Sequence, residues 1–346
     1  MNYHASAALL FALLLTGCDA DDNNTTKFVL EKADYDATFK NLEFDCVYES
    51  EKLPHLDADA ELLYQYALHL TQVRGPKDFD QAGRFHRIAA AHGHYRAATN
   101  LQVLLSQGMT TASRPARETL NLVEDLIACG IPGAYYDMGH YLELGYGVSQ
   151  DNSAARYYFR RAADLGNPDA QYYVADMLAR IGQGGRAAES MMRCAMEQGH
   201  AKASADVGTS REIENKSSEA SLAYQIAVKA GDSASATLLA KAFSKDQQIK
   251  TPDSFALGKD SERARRYRLI SDFIRRYEHL GAKVPDIDQI VPLPPAKLPD
   301  WDETFEWKRK RDAAVPPSPP SEELIARMCE EKDLDPATGW PLSGLK

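Results

Sequence analysis

The sequence predicts an all-α fold, a right-handed α-solenoid of helix pairs with non-repeat caps at both ends. Glycines recur at intervals of 37, 36, 33 and 32 residues, each where a helix would end: Gly93, Gly130, Gly166, Gly199 and Gly231. A small residue follows each glycine by four positions, and a small or hydroxyl residue precedes it by eleven. Such pairs bury a continuous core only by stacking on their neighbours, so this register predicts a solenoid.

Residues 134–166 are the clearest of five such units. An amphipathic helix is predicted from Ala134, then a turn over 145–148 and a second helix from Asn152 to Leu165. Gly166 would end that helix as its C′ residue. The five units span residues 58–231, and a partial sixth helix is predicted over 234–243.

The same unit carries a pattern typical of one repeat family. Its residues are Ala134, Gly139, Gly145, Gly147, Val148, Asp151, Ala155, Ala162, Ala163 and Gly166. This run resembles the Sel1-like repeat, a relative of the tetratricopeptide repeat; the second and fourth units match it less closely. The resemblance implies an α-solenoid that binds proteins and has no chemistry of its own.

A targeting segment is predicted at the start of the chain. Residues 5–15 are an uninterrupted run of apolar and small residues, too short to span a bilayer. The stretch Leu15-Thr16-Gly17-Cys18 that follows is similar to a bacterial lipobox, although residues 1–4 lack Lys and Arg. This resemblance implies that Cys18 is lipidated and that the protein faces the periplasm. Its acyl chains alone would anchor it to a membrane, inner or outer. The alternative is an ordinary secretory signal followed by a chance cysteine.

The predicted organisation has four parts: a signal peptide (1–17), an acidic tether and N-terminal cap (18–57), the repeat solenoid (58–245) and a helical, proline-rich C-terminal cap (246–346). Residues 19–61 contain 13 acids against four lysines, so most of the net charge of −10 lies there. This acidic stretch forms either a solvated face or a binding site for a basic partner. Apolar stretches at 28–30 and 44–48 are predicted to be extended and to pack on the first repeat.

The C-terminal part is predicted to begin with an amphipathic helix over 260–280 that has a basic face. That face holds Arg263, Arg265, Arg266, Arg268, Arg275 and Arg276. Export and overall acidity argue against nucleic acid, so these arginines are predicted to pair with acids in the protein or its partner. The tail over 262–342, with proline-rich stretches and a helix capped by Ser321, resembles the C-terminal extension of certain Sel1-like-repeat lipoproteins. We expect it to lie across the last repeat.

The remaining cysteines give no sign of a metal or redox site. Cys129 and Cys194 are predicted to be small core residues too far apart to bond, and Cys329 lies in the C-terminal part. A disulfide that involves Cys46 stays open, since an exported protein permits one.

Catalytic and metal-binding patterns are weak. His86, His92 and His94 are the candidates for a metal site, but no thiolate or carboxylate cluster accompanies them. The stretch from His200 to Asp206 approaches the HxKxxxxD motif of phospholipase D enzymes, one residue short and without a second copy. GxSxG, P-loop and HExxH motifs are absent from the sequence. The sequence therefore predicts no enzyme, no cofactor and no metal.

A partner-binding surface is predicted on the first helices of the units, which generally line the concave face of an α-solenoid. The candidate residues are Tyr95, Arg96, Tyr135, Tyr141, Tyr146, Tyr173 and Asp176. Aromatic and arginine side chains often contribute most of the binding energy. The alternative is that half or more of these rings fill gaps between repeats.

Lipoproteins with Sel1-like repeats and such a tail resemble immunity proteins that protect Gram-negative cells from phospholipase effectors of the type VI secretion system. The resemblance implies a protein that binds and neutralises a protein toxin stoichiometrically. The alternatives are a scaffold or adaptor that assembles envelope protein complexes and, more remotely, a lipid-processing enzyme.

Overall fold

The computed structural model describes residues 43–73, 75–182, 185–244 and 257–344. Within them run 15 α-helices: α1 (Ala58–Gln72), α2 (Phe79–Ala91), α3 (Tyr95–Ser106), α4 (Pro115–Ala128), α5 (Pro132–Leu144), α6 (Asn152–Asp164), α7 (Pro168–Arg180), α8 (Gly185–Glu197), α9 (Ala201–Ile213), α10 (Ser217–Lys229), α11 (Ser233–Ala242), α12 (Ser261–Tyr277), α13 (Ile287–Ile290), α14 (Glu306–Ala313) and α15 (Glu322–Glu331). These residues form no strand, only an isolated bridge between Leu334 and Pro341. The all-α prediction is confirmed. None of the described helices is both long and apolar enough to cross a membrane.

The described chain divides into two compact units. Unit 1 consists of residues 54–73, 75–129 and 318–344, and unit 2 of residues 43–53, 130–182, 185–244 and 257–317. Consecutive helices pack as pairs, α1 with α2 and α3 with α4 in unit 1, and α5 to α12 in the same way in unit 2. This is the packing of an α-solenoid. The domain boundaries stated above stay a prediction.

Unit 1 is completed by the end of the chain. Helix α15 packs on the first helix pair, and their shared core includes Leu63, Tyr64, Phe85, Ile88, Ile325, Met328, Cys329 and Leu334. Two polar contacts fix it: His92 Nε2 donates to the Met328 carbonyl oxygen at 2.9 Å, and Arg84 Nε to that of Pro336 at 2.6 Å. The expectation that the whole tail lies across the last repeat is wrong for α15. The apolar face of α15 does not indicate, from sequence alone, which helix pair it covers.

The helix pairs of unit 2 cross closely at two glycines that hold equivalent positions. A Cβ at Gly139 of α5 would lie 2.5 Å from the ring of Phe159 on α6. A Cβ at Gly208 of α9 would lie 2.6 Å from the ring of Tyr224 on α10. Each pair therefore seats one buried aromatic ring directly on a helix backbone, as close helix packing requires.

The sixth helix pair consists of α11 and α12, with residues 245–256 between them in the chain. Helix α11 packs against α12, where the rings of Phe243 and Tyr267 stack with centroids 5.8 Å apart. The helix predicted over 260–280 is thus the partner of α11. Residues of the following segment are buried in the same core: Ala282, Val284, Ile287, Ile290, Val291 and Phe305. This part of the tail covers the last pair, as predicted.

Two arginines of α12 hold the proline-rich segment through its backbone. Arg263 Nε donates to the carbonyl oxygen of Pro292 at 3.2 Å. Arg266 Nη1 donates to those of Ile290 at 2.7 Å and Pro299 at 2.8 Å. Both side chains are buried, so the prediction that they lie on the face opposite the buried apolar one is wrong. Prolines have no N–H group, so the carbonyl oxygens of this segment find few backbone donors, and the guanidinium groups of the two arginines donate to them instead.

Ion pairs within the protein account for four of the six arginines, as predicted. The pairs are Arg263–Asp260, Arg265–Glu262, Arg265–Glu303, Arg266–Glu262 and Arg275–Asp272. Arg268 and Arg276 form no ion pair with the described residues.

A disulfide joins Cys46 to Cys194 of α8, with 5.7 Å between the Cα atoms. The prediction that Cys194 is an unbonded core residue is wrong, because a segment far away in sequence brings Cys46 to it. Cys129 and Cys329 are not disulfide-bonded.

Residues 43–53 lie on α6 to α8 rather than on the first repeat, contrary to the prediction for 44–48. Gln171 Nε2 donates to the Val47 carbonyl oxygen at 3.0 Å, and Asn167 Nδ2 to Glu49 Oε1 at 2.9 Å. The backbone passes so close to Gly166 that a Cβ there would lie 2.7 Å from the Glu49 nitrogen. The predictions for residues 1–42, including the signal peptide, Cys18 and the stretch 28–30, lie outside the described residues.

Candidate partner-binding surfaces

The predicted binding residues of unit 1 lie at the start of α3. Arg96 is exposed, and its guanidinium carbon is 5.5 Å from the centroid of the Tyr95 ring. Tyr95 is partly buried, with its ring 6.3 Å from that of His94. Stacking on a ring orders a guanidinium while its charge stays exposed. Arg96 is therefore placed to contact a partner.

Three predicted tyrosines of unit 2 lie along α5 and the turn after it. The rings of Tyr141 and Tyr146 are 5.3 Å apart, and the ring of Tyr135 is 6.2 Å from that of Tyr158 on α6. All four are partly buried. Burial raises the pKa of Tyr135 and Tyr141 above the usual range. Their hydroxyls are neutral at physiological pH and remain hydrogen-bonding groups.

Tyr173 of α7 belongs to an aromatic cluster that sequence reasoning missed. Its ring centroid is 4.5 Å from that of Phe159, 5.5 Å from that of His140 and 6.2 Å from that of Tyr136. Its hydroxyl donates to Glu143 at 2.9 Å, and burial raises its pKa to about 12. Tyr173 thus packs two neighbouring helix pairs together. The spacing of Tyr136 and His140, one turn apart on α5, was the available signal.

Asp176, on the same helix, makes a different contact. Its carboxylate pairs with Arg180 at 2.7 Å, one turn further on. Such surface pairs contribute little to stability, and Arg180 compensates the charge of Asp176 within the protein. The role of the seven predicted residues in binding stays a prediction.

Asp137 of α5 is a charged group that the sequence did not single out. Burial, followed by the nearby carboxylates of Asp169 and Glu49, raises its pKa to about 7. No hydrogen bond to this carboxylate comes from the described residues. Glu49 arrives on the segment 43–53, so no local pattern could reveal this group of acids.

The histidines have structural roles. His94 Nδ1 accepts from Ala97 N at 3.0 Å and thus caps α3, while its Nε2 lies 2.8 Å from Glu61. His200 caps α9 in the same way through Ala203 N at 3.0 Å. The recurring Gly-His pair is therefore a helix-start signal, with the imidazole in the place of the usual N-cap oxygen. In the part of the chain that the structure describes, no group of three His, Cys, Asp or Glu could hold a metal ion.

The stretch that approaches the phospholipase motif is part of α9. Lys202 Nζ lies 3.4 Å from Asp206, and the Tyr172 hydroxyl donates to the same carboxylate at 3.2 Å. With His200 as the cap of the helix, these side chains join α9 to α7.

Large aliphatic side chains are exposed where the first helices of three successive pairs end. They are Leu144 (74% exposed), Ile181 (60%) and Ile213 (76%). A recurring position would normally be polar at a helix end in solvent. These three side chains, here called the exposed aliphatic edge, add apolar surface to unit 2 that the sequence did not indicate.

Two families match parts of the chain. The Sel1 repeat matches residues 60–94 and 132–167, and a domain of unknown function, DUF6396, matches residues 235–342. No curated protein matches the chain.

Solved structures from Pseudomonas aeruginosa are similar to the chain over most of its length. The immunity protein Pa5087 is 25% identical with a TM-score of 0.56, over 73% of this chain and 95% of that one. The immunity protein PA5088 is 22% identical with a TM-score of 0.57, over 73% and 94%. The protein 5086 is 24% identical with a TM-score of 0.56, over 73% and 95%. The last two likenesses concern the fold alone.

The matched repeats correspond to α1–α2 and α5–α6, and further helix pairs follow each of them. The chain therefore contains Sel1 repeats in these two helix pairs, as the pattern over 134–166 implied for the second of them.

Proposed function

We propose that this protein is an immunity protein, which binds a protein toxin and neutralises it. The observation that carries the proposal is the likeness to the immunity protein Pa5087, at 25% identity over 95% of that chain. Stacked helix pairs provide extended binding surfaces. Arg96 and the exposed aliphatic edge supply charged and apolar contacts on such surfaces.

The toxin in this proposal is a phospholipase effector of the type VI secretion system. Its support is the resemblance of the sequence to Sel1-like-repeat lipoproteins with this style of tail. Inhibition is stoichiometric, because a bound solenoid covers the active site or the membrane-docking surface of the toxin. Neutralisation in this way requires affinity and no catalytic group.

We further propose that the protein acts in the periplasm, tethered through lipidated Cys18. The bond between Cys46 and Cys194 supports this compartment, because disulfides persist in oxidising environments and are rare in the cytosol. A tether raises the local concentration of the inhibitor at the membrane that contains the toxin's substrate.

Competition between sister cells tests the function. A strain that lacks this gene should be killed by cells that deliver the cognate effector, and a wild-type copy should restore survival. A Cys18→Ala copy should move the protein to the soluble periplasmic fraction. Equal survival of the deletion strain and its parent would overturn the immunity proposal, and a Cys18→Ala protein that stays in membranes would overturn the anchor.

A further inference from the structure

The matched domain of unknown function contains a groove between α12 and α14. Its volume is about 450 Å³, and its floor is aromatic. The rings of Phe273 and Phe305 stack with centroids 3.9 Å apart, and Tyr277 lies 5.3 Å from Phe273. Apolar rings beside an open groove provide contact area for a partner at a small entropic cost.

Every carboxylate that lines this groove already has a cationic partner. Asp272 pairs with Arg275, Glu303 with Arg265 at 2.7 Å, and Asp312 with Lys308. The local acids are therefore compensated within the protein.

Two arginines that line the same groove form no direct ion pair with the described residues. They are Arg276 of α12 and Arg309 of α14, and both are exposed. Arg309 Nη1 donates to the Thr304 hydroxyl, which in turn donates to Asp302 Oδ1 at 2.7 Å. The carboxyls of Asp302 and Glu306 have pKa values below their usual range, through the hydrogen bonds that they accept and then through the charge of the Arg309 guanidinium, which forms no direct ion pair with them. The groove thus has an aromatic floor and two exposed guanidinium groups without a direct ion pair, in a chain whose net charge is −10.

We propose that this groove binds an acidic segment of the protein partner, with a carboxylate placed between Arg276 and Arg309. Guanidinium groups bind carboxylates through two parallel hydrogen bonds, and aromatic and arginine side chains dominate binding energy at interfaces. The inference rests on the proposed function, because the partner is the effector toxin. It assigns toxin recognition to the domain of unknown function as well as to the repeats.

An anionic membrane is the other source of negative charge, and the groove fits it less well. Recruitment to anionic lipids takes clusters of about four to eight basic residues on one surface. Here two arginines lack a direct ion pair, and they flank a groove. The acidic whole would be repelled by such a membrane.

Charge reversal tests the groove. The probe is the purified cognate effector of the sister-cell competition, carrying an inactivating substitution, and the measurement is calorimetric titration against the full mature chain. Arg276→Glu and Arg309→Glu should each weaken binding by roughly tenfold or more, and the double variant by roughly a hundredfold. The losses should shrink at high salt.

Arg268→Glu is the matched control. Arg268 is exposed on the same helix, has no ion pair with the described residues and does not line the groove. It should change affinity less than roughly threefold, the effect of net charge alone. Thermal unfolding identifies any variant that fails to fold, and Arg276→Gln with Arg309→Gln then provides a milder replacement.

Each other outcome has a definite meaning. If the wild-type chain binds the effector and the groove variants bind it equally well, or lose no more than Arg268→Glu, the groove inference is wrong and the immunity proposal stands. If the wild-type chain does not bind the effector, both fall. If the variants lose binding only to phosphatidylethanolamine vesicles that contain phosphatidylglycerol, the groove is a membrane contact and the inference is wrong.

Discussion

Two segments of unit 2 outside the helix pairs dock at equivalent places, the glycines that end a pair. Residues 43–53 pass Gly166, and residues 282–305 begin beside Gly231, where a Cβ would lie 2.4 Å from the Ala282 carbonyl oxygen. The two glycines have nearly the same φ, 103° and 105°. At Gly199, which ends the pair between them, nothing lies within 4 Å of a Cβ. The joint after a helix pair is therefore a docking position that a non-repeat segment can use.

The two segments differ in how they are fastened. The first is held by the disulfide between Cys46 and Cys194 and by side-chain amides on its backbone. The second is held by buried apolar residues and by two buried arginines that bond its carbonyl oxygens. One attachment therefore depends on oxidation, and the other on packing and charge. Each should fail under its own perturbation and leave the other intact.

Loss of the disulfide should have the largest effect. The bond closes a loop with a sequence separation of 148, so its removal frees the unfolded chain and should cost about 4 kcal/mol. With Cys46→Ala and Cys194→Ala, we expect a lower melting temperature and fast hydrogen exchange in 43–53, with 290–299 still protected. The variant should not respond to reductant. A wild-type protein whose melting is equally indifferent to reductant would contradict this account.

Arg266→Ala should loosen the second segment instead of the first and lower the free energy of unfolding by about 3 kcal/mol. It leaves the carbonyl oxygens of Ile290 and Pro299 without this donor in a buried place. Hydrogen exchange should rise in 290–299 and stay unchanged in 43–53. Arg268→Ala, on the exposed side of the same helix, should change stability by less than about 0.5 kcal/mol. Equal effects of the two substitutions would show that the buried arginine does not fasten the segment.

Substitution of the glycines compares the two docking positions directly. Gly166→Ala and Gly231→Ala each force a methyl group against the backbone of a docked segment, at a cost of about 2–3 kcal/mol. Gly199→Ala has open space and a φ of 82°, so it should cost only the strain of the left-handed region, about 1 kcal/mol. Chemical denaturation measures all three. A Gly199→Ala variant as unstable as the others would mean that backbone strain alone explains the effect.

The helix pairs could be predicted because their signals are local. The pattern predicts the second helix of the third pair over 152–165, and this helix runs over Asn152–Asp164. It predicts α11 over 234–243, and this helix runs over Ser233–Ala242. A glycine with positive φ follows the second helix of the third pair at Gly166 and that of the fifth pair at Gly231. Periodicity and end signals suffice for this level of structure.

The positions of the non-repeat segments could not be predicted, since equivalent joints look alike in sequence. Cys46 could have faced any repeat, and its partner Cys194 looks like an ordinary small core residue. The groove at Arg276 and Arg309 depends on which acids are already paired, which only the folded tail decides. Candidate tyrosines such as Tyr135 were accessible to pattern reasoning, whereas Tyr173 also packs against α5 and α6 through contacts that spacing does not reveal.

Asp137→Asn should have the smallest effect on stability, and this effect should depend on pH. Asp137 has a pKa of about 7 in the folded protein, above the value of about 3.9 in an unfolded chain. The folded state therefore holds an extra proton between these values, and stability falls as pH rises from about 4 to 7. Ionised Asp137 then repels Glu49 of the docked segment.

The Asp137→Asn variant should be more stable than the wild-type protein by about 1–2 kcal/mol at pH 8 and should differ little from it at pH 4. Hydrogen exchange should become slower in 43–53 but not in 290–299. Asp176→Asn, at a surface pair on α7, is the control, and an equal gain for Asp137→Asn at both pH values would refute the role of the carboxylate.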